Sequence, residues 1–454
     1  MLWRTSLRVA ILSFLLVVAL QSPLSAQRLD DGQVAFEDKA RPTRILRQQL
    51  FKGDFQADPR DKNHLEAIEI AAKEVTYPLH WKTMAGRPKS GEVNQIVEEL
   101  DSRLMQMSRF RATTMAMQQL FTRQVIDRIQ EVIQNDKVKP IASINAARML
   151  MRIVERRSQR DLPQTEKEWT EDVLPRLAEG NAEQLAVTTA TLLEDPRSND
   201  GVRYYLYRAA NQLLSLPKQS PPLVKSETEA RLFAAAVKQI EKKVPFPKAT
   251  PRQDVDGYRI LRREAIRLLA QARLPVVGKD RVGLVLARVA GQDASIIPPP
   301  RLDERIEASI GLAHMGAALA KFPDFHMDYA AAQIARTVVE FGAAASPNLE
   351  AKPNVRLAPW KVDAARLGEA IETLRGEVKL PYVQQATDQC LKQVTSAIER
   401  GTASNHNNLR DWLSENPPMA TSLFKGDETT VIKPGAEAPA AAAPGGEPPP
   451  KDEK

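Results

Sequence analysis

From about residue 65 onward, apolar side chains recur in rows whose members lie three or four positions apart. Leu65, Ile68, Ala72, Val75 and Leu79 form one such row; Val93, Val97, Leu100, Leu104 and Met107 form another. Phe233, Val237, Ile240 and Val244 repeat the pattern, as do Leu261, Ala265, Leu268 and Ala272. It returns at Ile306, Ile310, Ala313 and Ala317, and at Ala364, Leu367, Ile371, Leu374 and Val378. Such spacings place side chains on one face of a helix with about 3.6 residues per turn. No run of alternating β-branched residues competes with them, so no strand, hairpin or βαβ unit is expected. The pattern predicts an all-α fold.

The 32 prolines fix the length of those helices. They gather between the apolar rows: Pro217, Pro221 and Pro222; Pro245, Pro247 and Pro251; Pro298 to Pro300; then Pro323, Pro347, Pro359 and Pro381. Inside a helix a proline costs about 3 kcal/mol, but at the first turn it costs nothing. The chain should therefore form helices of about 12 to 20 residues with short, stiff connections.

The ends of the chain read differently. Residues 1–26 resemble a secretory signal peptide: Arg4 and Arg8 precede an apolar run over residues 9–20, and Ala26 offers a small residue for cleavage. A run of that length spans about 18 Å as a helix, short of the roughly 30 Å hydrocarbon core. Export to a bacterial periplasm or cell surface is the expectation, with an uncleaved N-terminal anchor as the alternative. No later stretch is apolar enough for a membrane span, so none is expected once the signal is removed. Residues 27–60 form a polar lead-in, expected to be extended or partly ordered. N-terminal helices should fill residues 61–111, and a helical array residues 112–426. Residues 427–454 hold Ala, Pro and Gly with little that can pack, which predicts a disordered spacer. Cys390 is the single cysteine, so stability must come from packing rather than an internal disulfide.

A short motif recurs within the array: a small residue followed three places later by leucine. Ala147/Leu150, Ala210/Leu213, Ala265/Leu268, Ser309/Leu312 and Ala364/Leu367 share it. Small residues let two helices approach closely while the leucine fills the groove beside them. The strings SINAARMLMRI, YRAANQLLSL and LRREAIRLLAQAR, with their surroundings, resemble the second helices of HEAT-like repeats. The intervals are irregular and mostly longer than the roughly 40 to 47 residues of a HEAT or armadillo unit. The resemblance implies an α-solenoid of stacked helix pairs; an irregular multi-helix bundle is the alternative reading of the same periodicity.

Candidate chemistry is sparse. Met105, Met107, Met115 and Met117 could offer thioethers to a soft metal, but residues two apart on a helix diverge, and core packing is the better account. Asp324, His326 and Asp328 alternate like ligands of a divalent ion, yet Asp328 reads more simply as a helix N-cap. Cys390 lies on an apolar row with Val383, Ala386 and Val394, which predicts an inert buried thiol. The five histidines show no catalytic arrangement. No nucleophile elbow, phosphate loop, Rossmann glycine pattern, H-E-x-x-H or C-x-x-C occurs, so no cofactor, metal centre or enzymatic activity is assigned.

Two arginine rows stand out. Arg148, Arg152 and Arg156 are four apart on one helix, and Arg259, Arg263 and Arg267 repeat this on another. Each row falls opposite its apolar seam. If the HEAT-like resemblance holds, such helices line the concave side of the stack, and the guanidinium groups could grip carboxylates or phosphates. The alternative is an ordinary solvated face neutralised by Glu155 and Glu264. The net charge of +7 favours acidic partners at long range. For an exported chain, a protein or an acidic envelope polymer is the expected partner, and nucleic acid is not. The functional expectation is an exported scaffold for protein–protein or polyanion interaction. An enzyme of an unmotifed helical class acting on an envelope polymer, and a periplasmic metal-binding protein, are the alternatives.

Overall fold

The computed structural model describes residues 31–52, 58, 60–80, 90–109, 115–155, 173–178, 180–216, 221–247, 250–319, 321–351, 359–396 and 406–434. Among them are 17 α-helices and no strand; only isolated bridges such as Phe325 with Phe424 interrupt the helical pattern. The fold is all-α. The signal-like segment, Arg156 and the tail beyond residue 434 lie outside the described residues.

In chain order the helices are α1 (Asp31–Ala40), α2 (Arg44–Lys52), α3 (Lys62–Thr76), α4 (Ser90–Arg109), α5 (Met115–Gln134), α6 (Pro140–Val154), α7 (Leu174–Leu177), α8 (Asn181–Glu194) and α9 (Asp200–Leu214). Then follow α10 (Ser226–Glu241), α11 (Arg252–Leu269), α12 (Val282–Ala290), α13 (Leu302–Ala313), α14 (Met327–Ala351), α15 (Pro359–Glu377), α16 (Pro381–Thr395) and α17 (His406–Glu415).

Their principal contacts fall into two rows. One row passes through α3, α5, α8, α10, α12 and α14 to α16 and α17. The other passes through α4, α6, α9, α11, α13 and α15. Cross-contacts join α5 to α6, α8 to α9, α10 to α11, and α12 to α13. The five small-x-x-Leu pairs read from the sequence all lie on the second row, and all ten of those side chains are buried. Close approach is real there: a Cβ added at Gly311 of α13 would sit 2.8 Å from Ala270 Cα at the end of α11. Glycine at that position is what lets the two segments touch.

Local chemistry places the helix starts. Pro140 and Pro381 open α6 and α16, where a missing N–H costs nothing. Asp61 and Asn199 cap α3 and α9 by accepting backbone N–H groups that have no helical partner. Pro347 departs from expectation: it lies within α14 rather than between helices. It falls in the final turns, so few backbone bonds beyond it depend on the amide it lacks.

Two stretches differ from the sequence reading. The polar lead-in forms α1 and α2, because Arg47, Leu50 and Phe51 bury one side of α2 against α3 and α4. Phe51 meets Phe121 edge-on at 5.5 Å, and the Arg47 guanidinium pairs with Glu74 and donates to Ala40 O at 2.8 Å. Tertiary packing, more than local propensity, holds helices this short. Residues 427–434 also pack, although they belong to the stretch expected to be spacer. Ile432 is buried, its amide donates to the Tyr329 hydroxyl at 2.9 Å, and Arg281 pairs with Asp427.

Candidate functional site

The second row carries charged side chains on every helix, and they interlock. On α6, the Arg152 guanidinium donates to both carboxylate oxygens of Asp101 on α4, at 3.2 and 2.7 Å, and to Glu155 at 2.6 Å. Arg208 of α9 lies 3.8 Å from the same Glu155. On α11, Arg263 donates to Asp303 of α13 at 2.9 Å. Arg267 donates to Glu264 at 2.8 Å and to Glu307 of α13 at 2.7 Å. Arg366 of α15 grips both oxygens of Glu307 at 2.9 and 2.6 Å. Deepest of all, Arg262 and Glu304 form a two-bond pair, with a third bond from Arg262 to Pro298 O at 2.7 Å.

Three of the six row arginines, Arg152, Arg263 and Arg267, are therefore paired with carboxylates and not free, while Arg156 lies outside the described residues. Arg152 is buried rather than solvent-facing, because α6 packs on α4, α5 and α9 and leaves little of its circumference in water. Arg263 and Arg267 are half-buried and paired. Arg259 reaches Pro299 O at 3.4 Å, and burial lowers its pKa. Arg148 is half-buried on the same helix as Arg152. Glu155 and Glu264, named as neutralising neighbours in the sequence, are paired with Arg152 and Arg267. Positive and negative charge alternate along the row, so it presents a polar seam of nearly balanced charge.

Helices α9, α11, α13 and α15 enclose a cavity of about 220 Å³ on this row. Glu307 is among its lining residues and is 3% exposed. Burial works to raise its pKa, but the hydrogen bonds and charges of Arg366 and Arg267 outweigh that and hold it below the ordinary carboxylate range. His314, at the end of α13, points Nδ1 towards Ala270 O at 3.4 Å. Burial and the nearby Arg273 charge push its pKa down to about 4, so the ring is neutral at physiological pH. Sequence reasoning missed Glu307, Arg366 and His314. Their local signal is slight, because α13 also carries Asp303, Glu304 and Arg305 beside Glu307.

The remaining candidates resolve as packing. Asp328 does not cap α14: its carboxylate accepts the Ala420 N–H at 3.1 Å. The His326 ring contacts Ser422 O at 2.9 Å, and Asp324 O accepts from Lys425 N at 2.8 Å. The alternating segment thus holds the C-terminal stretch in place. Among the described residues, no group of three or more His, Cys, Asp or Glu side chains is arranged to hold a metal ion. Met117 is buried and Met115 is exposed, as their two-residue spacing requires, while the Met105 and Met107 side chains lie outside the described residues. Cys390 is 1% exposed, and burial pushes its thiol up to about 12. No helix among the described residues is long and apolar enough to cross a membrane.

No known family model matches the chain, and no characterised protein matches it in sequence.

Proposed function

We propose that the chain is an exported, HEAT-like α-solenoid that acts as an interaction scaffold in the cell envelope. The observation that carries this reading is the two-row contact order, in which each helix packs mainly on near neighbours in the chain. Stacks of that kind present long, continuous faces for partners. The signal-like segment at residues 1–26 supports export. Between the two expected partner classes, the balanced charge of the second row favours a protein over a polyanion, because the arginines a polyanion would need are already paired.

The perturbed groups in the cavity favour binding over catalysis. Glu307 is pinned as an anion and His314 as a neutral ring, so neither exchanges a proton readily near pH 7, as general acid–base work requires.

Export is tested by mass spectrometry of the envelope fraction, where the mature chain should lack residues 1–26. A mature protein found in the cytosol ends that part of the reading. The scaffold is tested by cross-linking in the native envelope, followed by affinity measurement with the captured partner. Arg263→Glu should weaken a second-row partner, with modest salt dependence. A chain that captures nothing, or a partner indifferent to changes on both rows, overturns it.

A further inference from the structure

The second-row cavity has a composition that selects a ligand class by elimination. Three guanidinium groups, Arg208, Arg267 and Arg366, line it together with the carboxylates of Glu264 and Glu307. A cation would meet the guanidinium groups. An anion would meet two carboxylates that already hold Arg267 and Arg366, and would find only Arg208 to receive it. An apolar ligand would strip water from these polar groups and return no hydrogen bonds. What remains is an uncharged ligand that both donates and accepts.

The groups are placed for such a ligand. Among the described residues Arg208 is loosely held, with Glu155 3.8 Å away and the Tyr204 hydroxyl 3.5 Å away. Asn211 accepts from the Gln271 amide at 2.9 Å, and among the described residues the Asn211 NH₂ and the Gln271 carbonyl meet no protein partner. The His314 Nδ1 faces a backbone carbonyl, so the neutral ring carries its proton there and offers Nε2 as an acceptor. Planar donors and acceptors thus face one space. The Asn211–Gln271 hydrogen bond orients those two side chains before any ligand arrives, which lowers the ordering cost of binding. At about 220 Å³ the cavity lies below the roughly 300 Å³ at which drug-sized sites begin, and suits about a dozen heavy atoms.

We propose that this cavity binds one uncharged, hexose-sized polyol, held through hydrogen bonds donated by Arg208 and Asn211 and one accepted by the Gln271 carbonyl. Sugar hydroxyls donate and accept at once, and so match the mixed lining. The inference stands apart from the scaffold reading, because partner capture and sugar binding are read by separate measurements on the same full-length protein.

Saturation-transfer NMR with the methyl pyranosides of glucose, galactose and mannose tests it, with sodium galacturonate as the charged comparison. At least one neutral hexoside should bind saturably, with a Kd of about 1 to 10 mM, as expected for a ligand of this size. Asn211→Ala and Gln271→Ala, which each remove one part-buried hydrogen bond, should weaken binding about fivefold or more. Lys238→Gln, an exposed side chain on α10 in the first row, should leave it unchanged. Three outcomes overturn the proposal: no saturable binding of any of the three hexosides, unchanged affinity in both cavity variants, or tighter binding of galacturonate than of the neutral galactoside.

Discussion

Arg262 and Glu304 join α11 to α13 through two hydrogen bonds of 2.6 and 2.9 Å, and both residues are fully buried. Taking two charges out of water is costly, and only near-complete pairing compensates. Arg262→Met or Glu304→Leu alone should therefore destabilise the protein by about 3 to 5 kcal/mol. The double variant should recover most of that loss. Urea titration of the four proteins gives the cycle, and additive losses would contradict the buried pair.

Glu307 serves two guanidinium groups from different helices. Glu307→Gln keeps the shape but removes the charge, and should cost about 3 kcal/mol or more, because Arg267 and Arg366 lose their shared anion. Arg366→Ala should cost far less, about 1 kcal/mol or below, since Arg366 is 40% exposed. Equal losses in the two variants would show that the carboxylate is not the shared element.

The His314 pKa lies below its ordinary 6.5, at about 4 in the folded chain. The unfolded chain therefore binds a proton first as the pH falls. Stability is full above about pH 6.5 and declines between there and about pH 4, by up to about 3 kcal/mol from this group. His314→Gln should flatten that part of the stability profile. An unchanged slope in the variant would assign the decline to other groups.

The C-terminal stretch is expected to be structural up to residue 434. Leu423 and Ile432 are buried there, and each contributes about 1.5 to 3 kcal/mol of apolar burial. A chain ending at Pro418 should unfold at clearly lower urea than the full chain. A chain ending at Pro434 should match it. Equal stability of both truncated chains would refute the docking of residues 419–434.

Cys390 should resist alkylation by iodoacetamide in the folded protein and react only on unfolding. Its thiol is 1% exposed and is pushed up to about 12 by burial. Rapid labelling of the native protein would contradict this placement.

Much of the fold is legible in the amino-acid order. The rows at Ala364, Leu367, Ile371 and Leu374, and at Leu261, Ala265 and Leu268, are buried along single helices as their spacing required. The small-x-x-Leu motif picked out α6, α9, α11, α13 and α15 as one set, because close helix approach demands small side chains wherever it occurs. The lead-in was misread for the opposite reason: α1 and α2 are too short for a strong period, and α2 is held by partners far along the chain, such as Glu74 and Phe121.

The site was legible only in part. Arg263 and Arg267 were visible as a row, and Glu264 as a neighbour, but Asp303, Glu307 and Arg366 gave no sign that they belonged with them. Apolar periodicity is a local property, set by 3.6 residues per turn, so the amino-acid order alone determined where helices form and which faces they bury. Which charge meets which is decided by the offset and crossing of neighbouring helices. Asp101 and Arg152, like Glu307 and Arg366, come together only through that packing. The tertiary structure alone set Arg152, Arg263 and Arg267 in ion pairs and placed Arg267 beside a polar cavity.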